Sequence, residues 1–328
     1  MPEKILITGG AGYIGLHVAE VLLKKNIKVF VVDNLSRGLG KFINKKVTFI
    51  KEDIKNTNNI RKILIQNKIN TIIHLAALTN VQESEIYKKK YSQNNIIGTK
   101  NLLKACEKTF VENIIYSSSA GVYGNAKSPV NENTELKPIN YYSKTKLKGE
   151  KLIKEYSKKN NFNYCILRYF NVSGASPSGK IGIYNKNNKS LFKILAKQSL
   201  SKKPKITIFG KNFSTKDGTC VRDFIHVSDL AFIHFKVFKF IKRKKKSYIF
   251  NCGYGKGFSV LEVVKKFEKI IKKKIDIKFK KPRKGEIVIS YSNISKIFKL
   301  IKWQPKFNNL NTMVKNSLKW EQNLNKLF

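Results

Sequence analysis

The chain has 328 residues and a formal net charge of +45. That length suits two packed lobes better than one core. No apolar run is long enough to span a bilayer, and no charged segment, apolar run and cleavage site precede Ile5-Leu6-Ile7, so a cytoplasmic protein without a membrane partner is expected.

The first half alternates short apolar runs with longer helix-compatible stretches. Strands are predicted at 4–8, 28–32, 47–50, 71–75, 113–117 and 164–168, each rich in Ile, Val or Phe. Helices are predicted at 13–25, 57–67, 94–107 and 141–158. Such alternation implies right-handed crossovers and a parallel sheet covered on both faces. After Asn171 the rhythm breaks, and Gly174-Ala175-Ser176-Pro177-Ser178-Gly179 is turn chemistry. A strand at 205–209 and a helix from Leu261 then suggest a smaller α/β lobe. The expected division is a dinucleotide-binding domain over 1–172 and a second lobe over 173–328, with a segment near 222–254 returning to the first.

The positive charge admits two readings. Nucleic-acid or anionic-surface binding is one. The other is a Lys-, Asn- and Ile-rich compositional bias acting on tolerant surface positions. The densest runs, Lys242-Arg243-Lys244-Lys245-Lys246 and Lys272-Lys273-Lys274, are short and lack interleaved aromatics for base stacking. No specific nucleic-acid partner is expected. Cys106, Cys165, Cys220 and Cys252 are scattered without metal-ligand spacing, so no metal site is expected either.

Thr8-Gly9-Gly10-Ala11-Gly12-Tyr13-Ile14-Gly15 follows the first strand and opens the first helix. Gly9 permits the sharp turn, Gly12 the approach of backbone amides to a pyrophosphate, and Gly15 the tight packing of helix on strand. The helix N-terminus then meets the phosphate with N–H groups and the positive end of its dipole. Asp33 ends the second strand, where an acid can take a ribose diol and repel a 2′-phosphate. NAD is therefore expected over NADP, although Arg37 stands close by in sequence.

Tyr142-Ser143-Lys144-Thr145-Lys146 places Tyr142 and Lys146 four apart, on one helix face. A phenol with its usual pKa of ~10 needs a shift of roughly three units, about 4 kcal/mol, to serve as a base at neutral pH. Lys146 and an oxidised nicotinamide are expected to supply it. Ser119 ends Ser117-Ser118-Ser119 at the carboxyl end of a sheet strand and is expected to relay the proton.

Together these elements resemble the extended short-chain dehydrogenase/reductase superfamily, whose fold is a Rossmann-type doubly wound parallel sheet. Over essentially the whole chain the finer resemblance is to its UDP-glucose 4-epimerase branch. It is carried by Thr8 to Gly15, Asp33-Asn34-Leu35, Glu52-Asp53-Ile54, His74-Leu75-Ala76-Ala77 and Asn94-Asn95-Ile96-Ile97-Gly98-Thr99. It continues through Ser117 to Gly124, Tyr142 to Lys146 and Arg168 to Ala175. It ends in Asp217-Gly218-Thr219-Cys220-Val221-Arg222-Asp223-Phe224-Ile225-His226-Val227 and Pro282-Arg283-Lys284-Gly285-Glu286.

The resemblance implies roles position by position. Gly9, Gly12, Tyr13, Ile14, Gly15, Asp33 and Asn34 hold NAD, and Asp53 and Ile54 contact its adenine. Leu75, Ala76, Ala77, Asn94 and Phe170 line the nicotinamide side, with Tyr142 and Lys146. Asn171, Leu191, Arg222, Arg283 and Glu286 bind the uridine diphosphate, Phe209 packs near the uracil, and Ser119 and Tyr142 meet the sugar. The implied reaction oxidises the sugar to a 4-keto form and reduces it from the opposite face, exchanging UDP-glucose and UDP-galactose. A homodimer through the helices at 94–107 and 141–158 is also implied.

The chain departs from the branch's usual residues at Thr79, Lys189-Ser190-Leu191, Phe224, Glu286 and Ser290. Small Ser290 leaves room for an acetamido group, so UDP-N-acetylhexosamines and UDP-uronic acids are alternative substrates. Ala120-Gly121-Val122 after Ser119 lacks the Asp-Glu pair that a 4,6-dehydratase uses. A non-enzymatic NAD sensor or a nucleic-acid binder on the same scaffold is the rival of another class.

Overall fold

The computed structural model describes residues 3–185, 188–283 and 285–327. In chain order the first elements are β1 (Lys4–Thr8), α1 (Tyr13–Leu23), β2 (Lys28–Asp33), β3 (Thr48–Lys51), α2 (Thr57–Gln66) and β4 (Thr71–His74). Next come α3 (Val81–Ile86), α4 (Lys88–Tyr91), a π-helical turn (Ser92–Ile97), α5 (Gly98–Cys106), β5 (Asn113–Ser119) and α6 (Tyr141–Asn160). Then follow β6 (Asn163–Tyr169), β7 (Asn171–Ser173), α7 (Leu191–Gln198), β8 (Lys205–Phe209), β9 (Val221–His226), α8 (Val227–Lys244) and β10 (Tyr248–Cys252). The last are β11 (Gly257–Ser259), α9 (Val260–Ile271), β12 (Asp276–Lys280), β13 (Ile289–Ser290), α10 (Ser295–Ile301) and α11 (Leu310–Lys326).

The chain folds into two compact units that interleave along the sequence. The first takes residues up to Val122, then Pro138–Arg168 and Ala231–Phe250. The second takes Tyr123–Lys137, Tyr169–Leu230 and the chain from Asn251. The cut expected after residue 172 thus falls between Arg168 and Tyr169, and 123–137 joins the second unit. Within that unit, Val130 bridges to Ser292.

The first unit is a doubly wound, Rossmann-type sheet in the order β10-β6-β5-β4-β1-β2-β3. Pairings β1–β2, β1–β4, β2–β3 and β4–β5 are parallel. Its strands are unbroken Ile- and Val-rich runs, as burial on both faces requires, and Ile5, Leu6, Ile7, Ile72 and Ile114 are fully buried. Strand order reverses between β1 and β4, so the carboxyl ends Thr8 and His74 flank the crevice where such sheets bind ligands.

In the second unit β9 is the hub. It pairs antiparallel with β11 and parallel with β13 and β7. Parallel β8 and β12 form a separate ribbon. Phe224 makes an edge contact with Phe192 at 5.2 Å within the core that includes Phe267 and Val314. This burial accounts for an aromatic without a hydroxyl at position 224.

Two differences from expectation bear on the site. β5 runs to Ser119, so all three serines lie on the strand. The helix expected at 94–107 is instead a π turn followed by α5. Asn95 explains the widened turn: its side chain accepts from Leu78 N–H at 2.8 Å and donates to Leu78 O at 2.9 Å and Thr145 Oγ1 at 3.1 Å. Those bonds hold it inward at the cost of regular helix.

Candidate active site

The glycine-rich turn is built for close approach. Gly9 has φ of 71°, and a Cβ there would lie 2.6 Å from Ala76 N, so this turn packs directly on the Leu75–Ala77 loop. A Cβ on Gly15 would lie 2.5 Å from Gly10 Cα, which keeps α1 tight on the turn. Gly12 is the N-cap of α1, whose first turn carries no acidic side chain to oppose an anion. Tyr13 and Ile14 open that helix.

Asp33 ties the glycine-rich turn to the end of β2. Its carboxylate accepts from Ala11 N–H at 3.0 Å and Leu35 N–H at 2.8 Å. The Leu35 bond is an ordinary strand-end turn. Burial pushes the Asp33 carboxyl up from the usual range, and these two amides pull it back. Arg37 donates to both Glu83 oxygens, at 2.6 and 2.8 Å. Its guanidinium is thereby engaged on α3, which answers the sequence ambiguity in favour of NAD. Asn34 donates to Asp53 at 3.0 Å, and Ile54 is buried beside Gly98. Leu75 N–H donates to Thr8 O at 3.0 Å, and Asn94 donates to Asn95 at 3.0 Å. The close backbone approach at the glycine turn and the α1 start free of acidic side chains fit a dinucleotide pyrophosphate.

The catalytic candidates meet where β5 faces α6. Asn140 caps α6 by accepting from Ser143 N–H at 2.9 Å, which fixes where the helix begins. Ser119 is hydrogen-bonded to the Tyr142 phenol, and its Oγ accepts from Gly121 N–H at 3.1 Å. Lys146 is 2% exposed and donates to Ser117 O at 2.7 Å. The expected lowering of the phenol pKa is not present in the protein itself. Burial pushes Tyr142 up to about 12 against the Ser119 hydrogen bond. Burial also brings Lys146 down to about 7, opposed by Glu150. Desolvation outweighs the pairing that helical spacing suggests.

The second unit assembles another polar cluster. Arg222 on β9 donates to Glu286 at 2.8 Å and to the carbonyls of Val221 at 2.9 Å and Val288 at 3.1 Å. These bonds fix the guanidinium plane. Arg283 lies 3.9 Å from the centre of the Phe209 ring, so one face of that ring is covered by the guanidinium. Glu286 N–H donates to Arg283 O at 3.2 Å. Lys284 of the quoted string lies outside the described residues. Asn171 is exposed and pairs in register with Phe224, and buried Phe170 donates its N–H to Cys252 O at 3.0 Å. Leu191 begins α7 and is half-buried.

The structure thus gathers Tyr142, Lys146 and Ser119 in one unit, and Arg222, Glu286, Arg283 and Phe209 in the other. Sequence reasoning assigned no part to Asn95, Glu150 or Arg168. Their roles are not legible locally, because their partners are far along the chain.

A doubly wound sheet with a glycine-rich turn, an acid after β2 and a Ser/Tyr/Lys set defines a nucleotide-dependent oxidoreductase-type site. The sequence profile of the NAD dependent epimerase/dehydratase family matches residues 5–253, and the chain belongs to that family. A UDP-glucose 4-epimerase of Lactobacillus helveticus is 38% identical over 322 residues, covering 97% of this chain and 97% of the relative. The crystal structure of a UDP-glucose-4-epimerase from Stenotrophomonas maltophila, with bound NAD and formylated UDP-arabinopyranose, superposes with a TM-score of 0.95 at 30% identity, covering 99% of this chain and 100% of that one. A UDP-Glc/GlcNAc 4-epimerase from Campylobacter jejuni superposes at 0.84 with 37% identity, covering 98% and 99%.

Proposed function

We propose that this chain is an NAD-dependent 4-epimerase that interconverts UDP-glucose and UDP-galactose. The observation that carries the reading is the Ser119–Tyr142 hydrogen bond with buried Lys146 one helical turn from the phenol. Gly9, Gly12 and Gly15 with the α1 N-terminus hold the cofactor pyrophosphate, and Asp33 takes its adenosine ribose. Asp53 and Ile54 contact the adenine, while Ala76, Ala77, Asn94 and Phe170 line the nicotinamide side. The bound cofactor supplies a reversible hydride acceptor and the positive charge that, added to Lys146, favours the phenolate.

Tyr142 Oη accepts the proton of the sugar 4-hydroxyl as the C4–H bond breaks with its electron pair. Ser119 hydrogen-bonds the same hydroxyl and the phenol, keeping both aligned. Arg222, Arg283 and Asn171 retain the diphosphate and ribose while the 4-keto sugar turns. Hydride returns to the opposite face of C4, and Tyr142 gives its proton back to the oxygen. Substrate and product differ only in configuration at C4, and no net oxidant is consumed.

The assay is incubation of the pure protein with UDP-galactose and NAD, without added reductant, followed by product separation. UDP-glucose is the expected product, and failure to convert any UDP-hexose pair sinks the reading. Small Ser290, in register with Arg222, favours UDP-N-acetylhexosamine as a second substrate. Cytoplasmic location and a homodimer joined through α5 and α6 belong to the same proposal, and light scattering of the pure protein checks the latter. Among the described residues no helix is long and apolar enough to cross a membrane.

A further inference from the structure

Helix α6 carries Tyr142, Lys146 and Glu150 at intervals of four, so the three share one face. Glu150 is given no part above in holding cofactor or nucleotide sugar. Its carboxylate is nevertheless 1% exposed and heavily bonded. It accepts from Arg168 Nε at 3.0 Å, from the Arg168 terminal nitrogen at 2.8 Å, and from the Ser118 hydroxyl at 2.6 Å. Ser118 stands between Ser117, whose carbonyl receives the Lys146 ammonium, and Ser119, which is bonded to Tyr142. The carboxylate is therefore fastened to the same strand end that positions the base and the lysine.

Lys146 needs such a counter-charge. Its ammonium is out of water, over the ring of Tyr116 at 5.2 Å and against one carbonyl at 2.7 Å. From β4 it is faced by His74, which is neutral between Thr8 and Thr99. From β5 come the Tyr116 phenol, from β6 Arg168, and from α6 itself Tyr142 and Glu150. Of the groups named here, Glu150 is the one carboxyl. It is also the charge that opposes the burial of Lys146.

We infer that Glu150, anchored by Arg168 and Ser118, is a positioning residue for the proposed reaction that keeps Lys146 in its ammonium form. The inference rests on the roles given to Tyr142 and Lys146 above. A buried ion pair is weak evidence of stability by itself, since apolar replacement of both partners is often tolerated. Its retention beside the lysine points to charge.

The test compares wild type, Glu150→Gln, and Glu150→Gln combined with Arg168→Met. The single variant leaves a buried guanidinium without its anion and can unfold the chain, whereas the double variant removes both charges. Two quantities are followed against pH: kcat, and the affinity of the cofactor-free protein for NAD. The alkaline limb of each is expected to move down by about one pH unit, a tenfold change in the ammonium-to-amine ratio. Limbs that stay at the wild-type position while only the melting temperature falls assign the pair to structure and overturn the inference. The NAD arm needs no turnover. A shift there in a chain that converts no UDP-sugar would uphold Glu150's role and refute the substrate reading instead.

Discussion

The Arg283 guanidinium rests on the Phe209 ring, 3.9 Å from its centroid. Phe209 ends β8, and Arg283 follows β12, the partner strand of β8. A cation on an aromatic face is worth about 1 kcal/mol where partly exposed, and here it also limits the directions the guanidinium can take. Replacing Phe209 by Leu keeps an apolar residue at the strand end but removes the π face. The expected result is a KM for the UDP-sugar raised about fivefold with kcat nearly unchanged, the signature of lost uniform binding. A fall in kcat at constant KM would show that Phe209 does something other than hold Arg283.

Tyr142 and Ser119 give a prediction in pH. The Ser119 hydrogen bond lowers the phenol pKa against burial, so it favours the phenolate. Ser119→Ala therefore raises that pKa, and since the base works above its pKa, the acid limb of the kcat profile moves to higher pH. Tyr142→Phe removes the proton acceptor and should lower kcat by about 10²–10⁴-fold with NAD affinity intact. An unshifted acid limb in Ser119→Ala would separate the serine from the phenol.

What the sequence disclosed and what it concealed divide along contact distance. The glycine turn, the Asp33 strand end and the Tyr142/Lys146 spacing are local, and period and turn chemistry reveal them. The π turn is not local, because the bonds of Asn95 to Leu78 and Thr145 decide it. The placement of 123–137 in the second unit depends on contacts such as Val130 with Ser292. The upward push that burial gives the Tyr142 phenol is hidden for the same reason. Helical spacing shows that a cation is near, but not that both groups lie out of water.

His74 makes acid stability measurable. It is 1% exposed, bonded to Thr8 at 2.7 Å and Thr99 at 2.9 Å, and burial brings its pKa down from 6.5 to about 3. Between those values the unfolded chain binds the proton and the folded chain does not. This contribution is thus fully present above pH 6.5 and is lost as pH falls toward 3. One such group adds a slope of about 1.4 kcal/mol per pH unit. His74→Gln should be less stable at neutral pH yet lose stability less steeply on acidification, as denaturant titrations at several pH values will report. Equal slopes in the two proteins would mean that His74 accepts a proton without unfolding.

Ser290 bears on the choice of sugar. It lies on β13, in register with Arg222, and is half-buried. A serine occupies little volume, so this position offers no bulky side chain to oppose the C2 acetamido group of the proposed second substrate. Conversion of UDP-N-acetylglucosamine is therefore expected alongside that of UDP-glucose. Ser290→Tyr should lower kcat/KM for the acetylated sugar by at least about tenfold, roughly 1.4 kcal/mol, and spare UDP-glucose. If the tyrosine variant handled both sugars in the wild-type ratio, the acetamido group would have to be accommodated elsewhere, and position 290 would not set specificity.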